Sequence, residues 1–179
     1  MDFVPNEQFA ARSCGECTAC CTALTIPDPE LRKPAGVPCV YLSPAGGCGI
    51  YERRPQVCKS FLCGWRLYPL PEELRPDRAG VLIRPQPGAG AGLTIGLVSE
   101  DERPLFSEAV MTLVGAWISN DAPVAISVRT RPGYCSAQVN LNAGFAAAVA
   151  ARDLAAARAC MRVAIDTGHA ATTDPEPKL

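Results

Sequence analysis

Prolines at positions 27, 29, 34, 38, 44 and 55 punctuate the stretch CTALTIPDPELRKPAGVPCVYLSPAGGCGIYERRPQVCKSFLCGW, residues 21–65. Each proline fixes φ and withdraws a backbone N–H, so neither a long helix nor a central strand is expected there. Short helical turns are expected over Cys17–Leu24 and Pro55–Trp65, with Pro55 at a first helical position. A loop-rich segment of this kind buries too little apolar surface to offset its own ordering entropy. Something other than a core must organise it.

The same segment holds most of the thiols. Of ten cysteines, eight lie between Cys14 and Cys63, and only Cys135 and Cys160 lie outside. They run Cys14-x2-Cys17-x2-Cys20-Cys21, followed by Cys39, Cys48, Cys58 and Cys63. A C-x2-C spacing lets two sulfurs converge on one ion at about 2.3 Å each. The binding energy of such an ion becomes folding energy. A disulfide scaffold would spread its cysteines along a short secreted chain. All eight are therefore candidate metal ligands, and Cys135 and Cys160 are read as structural, the latter on a core-facing helix side with Ala156 and Val163.

Zinc and iron both suit thiolates: two zinc sites of four cysteines each, an iron–sulfur cluster with spare thiols, or a polynuclear centre with bridging sulfurs. The single histidine, His169, lies near the C-terminus, which removes histidine-containing zinc fingers and the facial iron triad. The C-x2-C-x2-C run echoes bacterial ferredoxins but lacks their C-x3-C-P ending. Adjacent Cys20 and Cys21 are expected to face different metals or to include a bridging sulfur. No catalytic residue stands out. There is no G-x-S-x-G, and PGAGAGLTIG lacks G-x-G-x-x-G and leads into a strand.

A net charge of −1 and the lack of a basic, aromatic-laced run argue against nucleic acid as a partner. The opening MDFVPNEQFAARS has neither a basic nor an apolar region of a targeting segment. The longest weakly polar stretch is broken by Arg152, Asp153, Arg158 and Arg162, so no membrane span is expected. The chain reads as soluble and cytoplasmic, where disulfides are rare.

Beyond YPLPEELRPDR the pattern becomes conventional. GVLIRP and GLTIGLVSE read as strands joined through QPGAGA as a hairpin. PLFSEAVMTLVGAWISN has helical periodicity through Leu105, Ala109, Leu113, Ala116 and Trp117. PVAISVRT and CSAQVNL read as further strands, and one long helix is expected from Asn142, its cap, to Asp166. Glu100, Asp101 and Glu102 read as a charged turn. The expected fold is α+β: a loop-rich, all-cysteine metal-binding lobe over 1–70, packed on a small antiparallel sheet with two helices. Residues 71–179 complete the same compact domain, with a disordered tail from about 167.

GCGIYERRPQVCKSFLCGW, with CGECTACC upstream and AGVPCVYL between, resembles the C-x2-C-x2-C-C zinc- or iron-chelating family, the YkgJ-type cysteine-cluster proteins. The match covers Cys14, Cys17, Cys20, Cys21 and Cys39, then Cys48-Gly49-Ile50-Tyr51-Glu52-Arg53-Arg54-Pro55, Cys58, Phe61, Cys63 and Trp65, roughly residues 10 to 80. The resemblance implies metal binding. It carries over no enzymatic activity, although a longer relative is the flagellin lysine N-methylase. Within the block, Arg54 is placed to donate to thiolates or to pair with Glu52. Tyr51, Phe61 and Trp65 are expected to wall the site from water. The metal lobe then serves as an adaptor that binds a protein partner. Alternatively, an iron–sulfur or polynuclear iron centre acts in redox chemistry, metal handling or protein and peptide modification.

Overall fold

The computed structural model describes residues 7–86 and 92–176, and divides into two compact units. The first runs through Leu82 and takes in Val98–Glu100; the second holds Ile83–Leu97 and the chain from Asp101. The fold is α+β. Most of the expected hairpin linker, residues 87–91, lies outside the described residues.

The first unit is built from short pieces: helices α1 (Glu7–Ala10) and α2 (Ala19–Ala23), strands β1 (Ile26–Asp28) and β2 (Leu31–Lys33), then helices α3 (Gln56–Ser60), α4 (Gly64–Leu67) and α5 (Pro76–Ala79). Tyr51–Arg53 and Glu72–Leu74 form single 3-10 turns. The β1–β2 hairpin is not foreseen by the sequence, but it is no central strand, as the prolines lead one to expect. Pro27 is tolerated because a two-stranded ribbon has only edges. The Asp28 carboxylate closes the turn by accepting from the Glu30 N–H at 2.9 Å. Pro55 precedes α3 as its cap, with extended ψ, and does not enter the first turn.

The second unit centres on a four-stranded sheet of order β3-β4-β5-β6, formed by Val81–Pro85, Leu93–Leu97, Val124–Val128 and Ala137–Asn140. Its first two residues, Val81 and Leu82, fall on the other side of the unit boundary. The sheet is mixed and not the antiparallel one expected, because β4 and β5 run parallel, with Leu93 opposite Val124 and Ile95 opposite Ile126. A parallel pair needs a crossover. Helix α6 (Glu108–Ile118) supplies it, capped by the Ser107 hydroxyl accepting from the Val110 N–H at 3.3 Å. Its buried face is Val110, Met111, Leu113, Val114 and Trp117. β5 and β6 pair antiparallel, Ala125 opposite Asn140.

The expected long C-terminal helix is two helices, α7 (Asn142–Ala151) and α8 (Leu154–Ala170). Arg152 breaks it in the left-handed region (φ 52°), and Asp153 caps the second segment by accepting from the Ala156 N–H at 2.9 Å. Asn142 does not cap α7. Its side chain stitches the start of β5 instead, accepting from the Val124 N–H and donating to the Ala122 carbonyl, both at 2.9 Å. The inward face of α8 is Met161, Ala164, Ile165 and Gly168, while Val163 is 66% exposed, so Cys160 does not share a core face with it. The tail is ordered as far as described. The Cys135 N–H donates to the Asp174 carbonyl and the Glu176 N–H to Gly133, and Tyr134 bridges to Pro175. The charged turn is present: Arg103 holds Asp101, while Arg162 and His169 face Glu102 at 2.7 and 3.2 Å.

Helix α8 rests on β5 and β6. Gly168 permits the approach, since a Cβ there would stand 2.5 Å from the Cβ of Val128. Gly168→Ala is expected to lower stability by about 1–3 kcal/mol through this overpacking, despite alanine's better helix propensity. Chemical denaturation checks the sign: a variant as stable as the parent would show that the helix can lift without loss.

Candidate metal centre

The thiols are placed by tight local turns. Cys14 and Cys17 flank a turn in which the Cys17 N–H donates to the Cys14 carbonyl at 3.0 Å. Gly15 makes it possible with φ of +54°. Cys20 and Cys21 ride on α2, where neighbouring residues project about 100° apart around the axis. Their sulfurs stand 4.0 Å from each other.

Cys39 is buried and its N–H donates to the Cys21 carbonyl at 2.9 Å. The chain then doubles back. Leu42 N–H donates to Cys39 and bridges to Cys48, through a turn at Gly46 and Gly47, both with positive φ. Cys58 lies on α3, and Cys21, Cys39 and Cys58 pack in one apolar cluster with Ile26, Leu31, Leu42 and Val57. Cys63 caps α4, whose Arg66 reaches back so that one guanidinium nitrogen stands 4.0 Å from the Cys14 sulfur.

Seven of the eight thiols (Cys14, Cys17, Cys20, Cys21, Cys39, Cys48 and Cys58) line one cleft of about 140 Å³. Cys63 is not among its walls. Leu24, Ile26, Ile50 and Val57 make the rest largely apolar, and Tyr51 and Phe61 join them as expected of a water-excluding shell. Trp65 does not. It is buried beneath Arg12, whose guanidinium stacks 4.7 Å from the indole and donates to the Trp65 and Leu70 carbonyls. All eight sulfurs are free thiols, and among the described residues no group of three or more Cys, His, Asp or Glu side chains stands arranged to hold a metal ion.

The electrostatics fall into two neighbourhoods. Burial raises Cys17 and Cys63; the charge of Asp77 and then of Cys63 raises Cys17 further, and Cys14 raises Cys63. Cys20 is raised because its thiol donates to Cys21, then by burial, and beyond Cys21 the charges of Cys14 and Cys17 add to it. The same hydrogen bond lowers Cys21 to about 7, against the effect of burial and with help from Lys33 and Arg54. Cys58 is raised by burial and then by Cys21, Cys39 and Cys48.

Four cations attend these thiols, and composition alone had singled out only one. Arg54 does not pair with Glu52: its Nε donates to the Tyr51 carbonyl at 2.7 Å and its guanidinium lies 3.6 Å over the Tyr51 ring. Arg75 donates to the Cys14 carbonyl at 3.3 Å while paired with Asp77 at 2.9 Å. Arg66 also donates to the Ala10 carbonyl, yet its buried Nε lacks an acceptor, as does the indole N–H of Trp65. The orphaned Arg66 Nε, on a guanidinium beside the Cys14 thiol, suits a sulfur acceptor bound to a metal.

Lys33 is the least expected. It is 4% exposed, and its ammonium donates to the carbonyls of Thr22, Leu24 and Pro34. Among the described residues no carboxylate pairs with it. Burial lowers its pKa, and the charges of Cys39, Cys21 and Cys20 oppose that shift. A buried cation calls for a negative counterpart, and the thiols Cys39, Cys21 and Cys20 are the groups whose charge favours its protonated form. The rarity of lysine in the chain (Lys33, Lys59, Lys178) is the one trace of this residue in the sequence.

No family model, no curated protein and no solved structure matches this chain.

Lys33→Met keeps the stem but removes the donor to three carbonyls. Loss of about 1–3 kcal/mol is expected from the stranded acceptors, measured by denaturation of the reduced protein. Unchanged stability would show that water reaches these carbonyls.

Proposed function

We propose that this chain is a cytoplasmic metal-binding protein of the cysteine-cluster kind, in which zinc or iron held by Cys14, Cys17, Cys20, Cys21, Cys39, Cys48, Cys58 and Cys63 organises the first unit. The observation that carries this reading is the gathering of seven of those thiols around one cleft, with the eighth tied to Cys14 through Arg66. The donor set fits a soft or borderline cation. Local closure of the turns would complete the coordination, and the metal would supply the cohesion that a proline-broken segment lacks. Four thiolates per ion leave no open position, which favours a structural role in an adaptor that docks a protein partner and not nucleic acid. No helix among the described residues is long and apolar enough to cross a membrane.

A second reading draws on the 4.0 Å approach of the Cys20 and Cys21 sulfurs and the apolar walls around them. An iron–sulfur or polynuclear iron centre would use adjacent sulfurs and shelter from water. Its work would then be redox chemistry, metal handling or the modification of a protein or peptide.

Anaerobic purification followed by assay of zinc, iron and labile sulfide separates the two. Two zinc ions per chain and no visible absorption is the expected result; a brown protein with bound sulfide would replace it by the iron reading. Cys17→Ser and Cys58→Ser are each expected to lose metal and to melt at lower temperature. Unchanged metal content and melting in both would overturn the ligand assignment.

A further inference from the structure

Resting on the metal-binding reading, we infer that the eight thiols form two separate four-thiol sites that part between Cys20 and Cys21. Cys14, Cys17, Cys20 and Cys63 take one soft divalent cation, and Cys21, Cys39, Cys48 and Cys58 take a second.

The backbone sets the partition. Cys14, Cys17 and Cys20 follow one another at three-residue intervals through a tight turn into α2, and Arg66 brings the Cys63 end of α4 to Cys14. On the other side, Cys39 is hydrogen-bonded to the Cys21 carbonyl. Cys48 is held to the Cys39 loop through Leu42, and Cys58 shares an apolar cluster with Cys21 and Cys39. Neighbouring positions on a helix project about 100° apart, so Cys20 and Cys21 leave α2 in different directions, although their sulfurs stand 4.0 Å from each other.

Charge balance points in the same direction. A divalent ion bound by four thiolates, with four protons released to solvent, carries a net charge of −2. Lys33 and Arg54 flank the second site, and neither has a carboxylate partner among the described residues. Two cations free of carboxylates match one dianionic centre. At the first site Arg66 stands beside the Cys14 thiol, while Arg75 reaches the Cys14 carbonyl and is already paired with Asp77 and Glu72.

The partition is tested on the full-length reduced chain, under argon, by titrating zinc and alkylating the unprotected thiols before peptide mass analysis. Protection is expected to rise together within each set of four, with Cys135 and Cys160 reacting throughout. Cobalt(II) loading of Cys63→Ser and Cys48→Ser provides the second arm. Each variant is expected to fall from two cobalt ions per chain to one, the survivor retaining the charge-transfer absorption of a four-thiolate site. Protection that mixes the sets, or loss of both ions from either variant, would overturn the partition while leaving metal binding intact. A parent chain that takes up neither zinc nor cobalt would overturn the metal reading itself. The zinc arm uses no variant, so misfolding of a variant does not blunt it.

Discussion

A buried positive charge has to be answered, and in the first unit Lys33 sets that requirement. Its ammonium sits 4% exposed at the end of α2, among carbonyls and without a carboxylate. Carbonyl dipoles satisfy its donors, but they do not cancel a full charge in a low-dielectric setting. The charges of Cys39, Cys21 and Cys20 are those that favour its protonated form. The position of β2, which carries Lys33, and that of the thiol cleft therefore constrain each other. Arg54 adds to the same field from the opposite direction in sequence, held in place by its own Tyr51.

The second unit is stable on ordinary terms. Strand β5, central in the sheet, is packed against α6 and α8. The burial of Trp117, Phe145, Ile126 and Ile165 gives it a core of its own. The first unit has only the small cluster around Ile26, Leu31 and Cys39, in which cysteines count among the apolar members. Thiols there act both as hydrophobes and as the source of negative charge.

The α+β class, α6 and the strands of the second unit were legible because their periodicity is strong and their ends are marked. Three features were hidden for physical reasons. The parallel pairing of β4 with β5 depends on where the crossover helix lands, which no local pattern records. The break between α7 and α8 falls at Arg152, a residue that gives no intrinsic stop signal. Pro27 and Pro29 disguised the β1–β2 hairpin, since a proline is harmless on a strand that has no second neighbour. At the candidate site the cysteine pattern picked out a set that largely shares one cleft. Three of the four cations were invisible, because Lys33, Arg66 and Arg75 are brought to the thiols by long-range folding and by no motif.

Helix α2 is only five residues long, and on its own a segment of that length would not hold a helical turn in water. If both thiol sets draw on it, the entropy of fixing that turn is incurred once, by whichever ion arrives first. The second ion then meets a ligand already oriented, so its affinity rises without any new contact. Uptake at one set would then ease uptake at the other. The adjacency of Cys20 and Cys21 would thus make one short helix the link between the two sites.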